Sequence, residues 1–327
     1  MDSIRCVVCG CGHMGQLHAA RLAMDSRAVI TGVFDPNPEA VRQLCGRITD
    51  DVKVCSSFQQ AVSLDCDLIV VATPTGDHHE HISHCLQHGR HVLAEKPLAQ
   101  TAEEINKLIQ QSEQSDLVSV LGYQRRFWRT FRFLQQQIAD ESLGPLQSVT
   151  CISCENWEST IAGTWRNDPL QNFGGYLGDA GSHKIDIMLF VAGRDPVEVS
   201  AIGNNGRSQV PVVTAINGLL EGDVPFSMTF VGNAGSYYQE MLFHCEAGDW
   251  ILRGDDVWSA VDNRLQPVDL PPEESGEESF FHPVRGILDV LTEGLSNPSP
   301  FRCARPVFDL TTAILRSVES RGTVRPV

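Results

Sequence analysis

The chain has 327 residues, 42% of them hydrophobic and 20% charged, enough for about two domains with a sizeable core. Its formal charge is 25 − 41 = −16 and it has no basic stripe, which argues against nucleic acid or an anionic membrane surface as partner. No apolar run approaches the roughly 20 residues that span a bilayer, and Met1 to Arg5 lead into a strand without a leader pattern, so a cytoplasmic protein is expected.

Ile4 to Cys9 form a short apolar run that predicts a buried strand. It meets Gly10, Gly12 and Gly15, spaced G-x-G-x-x-G, and then a helix-like stretch, Met14–Met24. The next apolar run, Ala28–Phe34, ends at Asp35, and 35 − 15 = 20 residues separate that acid from Gly15. Strand, glycine turn, helix, second strand and terminal acid make up a dinucleotide-binding fingerprint. Gly10 permits the tight turn, Gly12 lets the backbone approach a pyrophosphate, and Gly15 lets helix and strand pack closely. The helix N-terminus offers N–H groups and a positive dipole end to the phosphates. Asp35 can bond adenosine ribose hydroxyls and repel a 2′-phosphate. Pro36 and Asn37 follow, with no arginine to neutralise one, so NAD is expected over NADP.

Further on, Pro38–Ile48 predicts a helix capped by Asn37, Lys53–Val54 a short strand and Ser57–Leu64 a helix. Leu68–Ala72 is a continuous apolar strand broken by Thr73-Pro74-Thr75-Gly76, and Asp77–His88 is a helix stopped by Gly89. His91–Ala94 is a strand leading into Glu95-Lys96-Pro97; helix Ala102–Gln114, capped by Thr101, and strand Leu117–Leu121 follow. Apolar strands alternating with helices predict a doubly wound parallel sheet, a Rossmann-type domain over 1–123.

After Gly122 the texture changes. Phe127–Ala139 predicts a helix, Leu146–Cys154 a strand, Asn156–Phe173 a long loop and Leu177–Val191 one helix. Short runs with turn signals from Pro196 to Leu270 predict an antiparallel meander. Pro271–Ser279 is an acidic loop, and helices Val284–Leu295 and Val307–Val318 close the chain. Residues 124–327 are therefore expected to form an α+β domain with a large, open, mostly antiparallel sheet.

Two C-x-x-C pairs, Cys6/Cys9 and Cys151/Cys154, lie on predicted strands, where residues three apart point to opposite faces; they read as small buried hydrophobes. His84 and His88 have an i,i+4 metal-ligand spacing, and His81 and His84 an i,i+3 spacing, but one face of this helix should simply meet solvent, so no metal is expected. On the helix beginning near Leu177, Asp179 and His183 are four apart and fall on one face, with Asp186 three further along. A histidine beside a carboxylate suits reversible proton transfer.

Several motifs together resemble one family, the glucose–fructose oxidoreductase/inositol dehydrogenase (Gfo/Idh/MocA) enzymes. They are G-C-G-H-M-G at 10–15, A-T-P-T-G-D-H-H at 72–79, G-R-H-V-L-A-E-K-P-L at 89–98, Y-Q-R-R-F at 123–127, T-W-R at 164–166 and G-G-Y-L-G-D-A-G-S-H-K-I-D at 174–186. The resemblance implies cofactor contacts at Gly10, Gly12, His13, Met14, Gly15, Asp35, Thr73, Pro74, His78, Glu95 and Lys96. It implies catalytic roles for Lys96, Asp179 and His183, a cis bond before Pro97, and a site between the domains. Arg125, Trp165 and Arg166, with Asp179 and His183, would meet the substrate. The family usually has a third glycine where Tyr176 stands, so Tyr176 would narrow the pocket. Trp157 and Arg126 border the same expected cleft. The implied activity is hydride transfer between nicotinamide and a secondary alcohol carbon of a sugar, inositol or related polyol. Alternatives are imine or bilin reduction, redox-neutral chemistry on a retained NAD, or an NAD-binding regulatory protein. The open sheet face is commonly covered by a second subunit, implying a homodimer or homotetramer.

Overall fold

The structure is a computed structural model that describes residues 3–48, 51–169, 172, 174–270 and 282–326. The chain splits into two compact units, Met1–Phe127 with Glu273–Arg305, and Trp128–Pro272 with Pro306–Val327.

The first unit alternates β1 (Ile4–Cys9), α1 (His13–Met24), β2 (Ala28–Phe34), α2 (Pro38–Cys45), β3 (Lys53–Val54), α3 (Phe58–Val62), β4 (Leu68–Val71), α4 (Thr75–Gln87), β5 (His91–Ala94), α5 (Ala102–Glu113) and β6 (Ser119–Leu121). The six strands run parallel in the order β3-β2-β1-β4-β5-β6. Every residue of β4 is buried, as a strand covered on both faces requires. The helix starts are written locally. Asn37 accepts from the Glu39 N–H, with Pro38 opening α2. Thr101 and Glu104 form a capping box at α5. The strand order reverses between β1 and β4, the place where doubly wound sheets open a ligand crevice at the strands' carboxyl ends.

The second unit holds α6 (Arg129–Ala139), β7 (Leu146–Cys154), α7 (Trp157–Ile161), α8 (Gly175–Gly178) and α9 (Ser182–Ala192). Then come β8 (Pro196–Asn204), β9 (Val213–Leu220), β10 (Val224–Val231), β11 (Tyr238–Cys245), β12 (Gly248–Arg253), β13 (Asp256–Val261) and β14 (Arg264–Pro267). The sheet order is β14-β13-β12-β11-β7-β10-β9-β8, with β7 and β10 as its one parallel pair. Along β7, Val149, Cys151 and Ser153 are buried while Thr150, Ile152 and Cys154 are half-buried on the other face. The buried row continues across the ladder through Phe243, Met241, Phe226 and Met228. The opposite face is sparser, with Ile202 of β8 70% exposed.

Three features depart from the sequence reading. The stretch from Leu177 to Val191 is two helices: α8 ends at Gly178, Asp179 takes φ −87°, ψ −90°, and α9 starts at Ser182. The expected loop after Asn156 contains α7 and a 3-10 turn, Trp165–Asn167. And the chain returns to the first unit near its end. α10 (His282–Glu293) puts Val284, Ile287 and Leu288 into one core with Cys6 and Val8 of β1, Leu68 and Val70 of β4, and Val120. Gly286 makes room for Phe127, since a Cβ there would lie 2.1 Å from the ring. The Leu121 N–H then donates to the Ser299 carbonyl at 2.8 Å, and the Ser299 hydroxyl donates to the Leu121 carbonyl at 2.7 Å. α11 (Ala304–Ser320) carries the chain on into the second unit. The acidic stretch 271–279 lies outside the described residues. Among the described residues, no helix is long and apolar enough to cross a membrane.

All eleven cysteines are free; nine are buried, leaving Cys45 and Cys154 half-buried. Burial pushes the Cys11 thiol up to about 12 and the Cys245 thiol up to about 11. Only thiolate reacts readily. A disulfide-exchange dye at pH 8 should therefore titrate at most two thiols of the native protein quickly and all eleven after unfolding; fast reaction of four or more would contradict this packing.

Candidate functional site

In the first unit the glycine turn is closed by backbone contact. Gly10 has φ +91°, and a Cβ on it would lie 2.3 Å from the Ala72 carbonyl oxygen at the end of β4. A Cβ on Gly15 would lie 1.8 Å from the Gly10 carbonyl oxygen. Gly12 has nothing within 4 Å of its Cβ position. Two glycines thus close the turn and the third leaves open space beside the start of α1. The first backbone bond of that helix is Gln16 N–H to Gly12 C=O, so the N–H groups of His13, Met14 and Gly15 have no intrahelical acceptor. His13 is exposed and Met14 half-buried. Asp35 closes the turn from the other side: Oδ2 accepts from the Cys11 N–H at 2.7 Å, and Oδ1 from the Asn37 N–H at 2.8 Å. A carboxylate has about four acceptor positions, so capacity remains for two ribose hydroxyls. The open cradle, the helix N-terminus and the anchored acid together fit a dinucleotide.

The loops after β4 and β5 lie on the same carboxyl edge. Pro74 caps α4, and the Thr73 hydroxyl bonds His81 Nδ1 at 3.0 Å. His81 stacks on Phe58 at 3.7 Å, and His88 Nδ1 bonds the His84 carbonyl, so the histidine-rich helix uses its rings locally. Among the described residues no three His, Cys, Asp or Glu side chains are grouped to hold a metal ion. His78 is 1% exposed; its Nδ1 lies 2.8 Å from the Pro97 carbonyl oxygen and its Nε2 2.8 Å from that of Thr73. Burial lowers its basicity, against the pull of those carbonyls and of Glu95.

Lys96 is half-buried, and the Lys96–Pro97 peptide is cis, as the resemblance implies. Glu95 beside it is buried. Its Oε1 accepts from His18 Nε2 at 2.8 Å and its Oε2 from the Lys96 N–H at 3.3 Å. Gly122 leaves room for this carboxylate, since a Cβ there would lie 2.9 Å from Oε1. Burial alone would raise the Glu95 pKa; the His18 hydrogen bond and the His18 and Lys96 charges outweigh it and hold the carboxyl below its ordinary range. Arg125 is half-buried in the 3-10 turn Gln124–Phe127, while Arg126 is buried and donates to the Pro298 carbonyl at 3.2 Å.

The second unit gathers a separate group. The Asp179 side chain, 17% exposed, accepts at Oδ2 from Arg166 Nε at 2.9 Å and from Trp157 Nε1 at 3.2 Å. The Ser182 hydroxyl donates to the Asp179 carbonyl at 2.7 Å, covering the break before α9. The expected geometry is corrected here. Asp179 and His183 do not share a helical face, because Asp179 lies in the break and only His183 is in α9. The break depends on glycine at 181, where a Cβ would lie 2.6 Å from the Leu177 carbonyl oxygen. His183 is half-buried, and Asp186, one turn on, is 1% exposed. Tyr176 turns into the core: it is 1% exposed, stands edge-on to Phe230, and its hydroxyl lies 3.2 Å from Ser153 Oγ. It therefore packs the core instead of projecting to narrow a pocket. The Trp165 side chain lies outside the described residues.

Sequence spacing brought out Asp35, Asp179 and His183, and the family resemblance Lys96. It missed His18 as the partner of Glu95, 77 residues away, and Trp157 as a donor to Asp179. Nothing local announces either contact.

Comparison with known proteins agrees with both units. Residues 4–123 match the family described as "Oxidoreductase family, NAD-binding Rossmann fold", and residues 131–251 match the "GFO/IDH/MocA C-terminal domain". The chain is similar to inositol 2-dehydrogenase of Rhizobium meliloti (strain 1021), 26% identical over 199 residues that make up 61% of this chain and 58% of that protein. The chain thus spans less than two thirds of the length of that curated relative. Its fold is similar to scyllo-inositol dehydrogenase from Lactobacillus casei with bound NAD(H) and scyllo-inositol, with TM-score 0.83, 19% identity and 99% of each chain covered. It is also similar to levoglucosan dehydrogenase in complex with NADH and levoglucosan, with TM-score 0.87, 18% identity, and 99% of this chain and 100% of that chain covered. The two matched domains and the architecture agree: the chain belongs to the GFO/IDH/MocA family of oxidoreductases.

Proposed function

We propose that the chain is an NAD-dependent dehydrogenase that moves a hydride between nicotinamide and a secondary alcohol carbon of a sugar, inositol or related polyol. The observation that carries this reading is Lys96, an ammonium on the loop that leaves β5, on the same carboxyl edge as the glycine turn and Asp35. NAD supplies the hydride chemistry. The residues supply the rest. Lys96 polarises the oxygen of the reacting carbon, stabilising the charge that develops on it. His183 takes the hydroxyl proton in oxidation and returns it in reduction. Asp179, fixed by Arg166 and Trp157, presents a preset carboxylate that stabilises charge on His183 and accepts a substrate hydroxyl. Arg125, Arg166 and the Trp165 ring complete the substrate contacts. The names of the similar proteins support the substrate class: inositol 2-dehydrogenase, scyllo-inositol dehydrogenase and levoglucosan dehydrogenase. In this reading residues 1–123 are the cofactor domain, with α10 returning to it, and the remainder holds substrate. A second copy of the chain covers the sparser face of the large sheet, around Ile202.

A panel of inositols, sugars and sugar acids assayed with NAD by nicotinamide absorbance tests the reaction; no turnover of any of them would sink it. Lys96→Ala and His183→Ala should each lower kcat at least about 100-fold while leaving the NADH dissociation constant within about threefold, and wild-type turnover in both would remove them from the mechanism. NADH should bind at least about tenfold tighter than NADPH because of Asp35, so equal affinities would refute that role. Light scattering should give two or four times 36.0 kDa, and a monomer would contradict the covered sheet face.

A further inference from the structure

Lys96 sits between two buried imidazoles that no step of the proposed reaction uses. On its amino side is Glu95, whose carboxylate receives His18 Nε2 at 2.8 Å and the Lys96 N–H at 3.3 Å. His18 belongs to α1, the helix that opens at the glycine turn, and is 1% exposed. Its Nδ1 has no hydrogen-bond partner among the described residues, so its only polar contact is Glu95. On the carboxyl side is Pro97, whose carbonyl faces His78 Nδ1 at 2.8 Å. His78 belongs to α4, the helix that follows the Thr73–Pro74 loop, and its Nε2 lies 2.8 Å from the Thr73 carbonyl oxygen. Each neighbour of Lys96 is thus tied by a histidine to a helix that begins on the cofactor edge.

We propose that His18 and His78 are positioning residues for Lys96: a two-sided clamp that fixes the Glu95–Lys96–Pro97 backbone to the two helices leaving the glycine turn and the Thr73 loop. This rests on the reading of Lys96 as the residue that polarises the reacting oxygen. A lysine side chain has four rotatable carbons, and its aim is only as good as its anchored backbone. A misplacement of about 1 Å from remote residues can cost on the order of 100-fold in rate. The clamp also links that aim to the cofactor, because both helices that hold it start at loops proposed to touch NAD.

Hydrogen exchange with NADH bound tests the clamp without any substrate. His18→Leu should raise amide exchange in segment 94–98 at least about tenfold relative to segment 53–62, used as the control. His18→Gln, whose amide can donate to Glu95 from a similar place, should restore most of the protection. His78→Leu, which can donate to neither carbonyl, should raise exchange in the same segment and serves as the decisive variant should His18→Leu not fold. Unchanged exchange in 94–98, or a rise equal to that of 53–62, would overturn the clamp as a merely structural contact. With the polyol that the panel identifies, kcat per NADH-binding site of His18→Leu should fall on the order of 100-fold with KM within about threefold. Loosened exchange with unchanged kcat would overturn the positioning role. Lys96→Ala, measured alongside, separates the two readings: if it retains turnover the function assigned to Lys96 fails, while exchange still decides the clamp.

Discussion

The first unit depends on one close approach. The ends of β1 and β4 come so near at Gly10 that the Ala72 carbonyl oxygen occupies the place of a side chain, and the Gly10 carbonyl in turn occupies that place at Gly15. Two absent Cβ atoms therefore set how α1 leaves the sheet. Everything along the carboxyl edge follows from that setting. The N–H groups at the start of α1 look onto open space beside Gly12, Asp35 closes the turn by accepting from Cys11, and the loops of Thr73 and Lys96 lie on the neighbouring strands. A methyl group at Gly10 would meet both a backbone carbonyl and an unfavourable φ of +91°, so no local side-chain adjustment relieves it.

The same edge shows how a buried charge is kept. Glu95 is a carboxylate in the core, which is tolerable only when its oxygens are met. One oxygen has His18 and the other the Lys96 N–H, and Gly122 steps back to make the space. Leaving such an acceptor unmet costs roughly 1–3 kcal/mol, and more for a charged group. That penalty favours holding Glu95 against His18, and Lys96 is covalently next to it.

Much of this was legible in the chain itself, for physical reasons that differ by element. The central parallel strands announced themselves because a strand covered on both faces must be apolar throughout, as Leu68–Val71 is. Asn37 and Thr101 marked helix starts because capping is a local interaction. The return of α10 to the first unit was not legible. Val284, Ile287 and Leu288 show that this helix has an apolar face, but periodicity does not say which sheet will cover it. Gly286 against Phe127 and Ser299 against Leu121 decide that, and both contacts span more than 150 residues.

The break at Asp179 is the more instructive miss, because there the local pattern pointed the wrong way. Residues 177–191 carry helical periodicity throughout, so spacing places Asp179 and His183 on one face. But the chain turns between α8 and α9, with Asp179 at φ −87°, ψ −90°, and Gly181 admits the Leu177 carbonyl where a Cβ would stand. The break changes what Asp179 can do. Within a helix its carboxylate would be one of many exposed acids; in the break, Arg166 and Trp157 hold one of its oxygens and Ser182 ties down its backbone. Tyr176 is buried in the core, edge-on to Phe230. In the proposed reaction, the carboxylate that supports His183 would be held by irregular backbone and not by helical spacing.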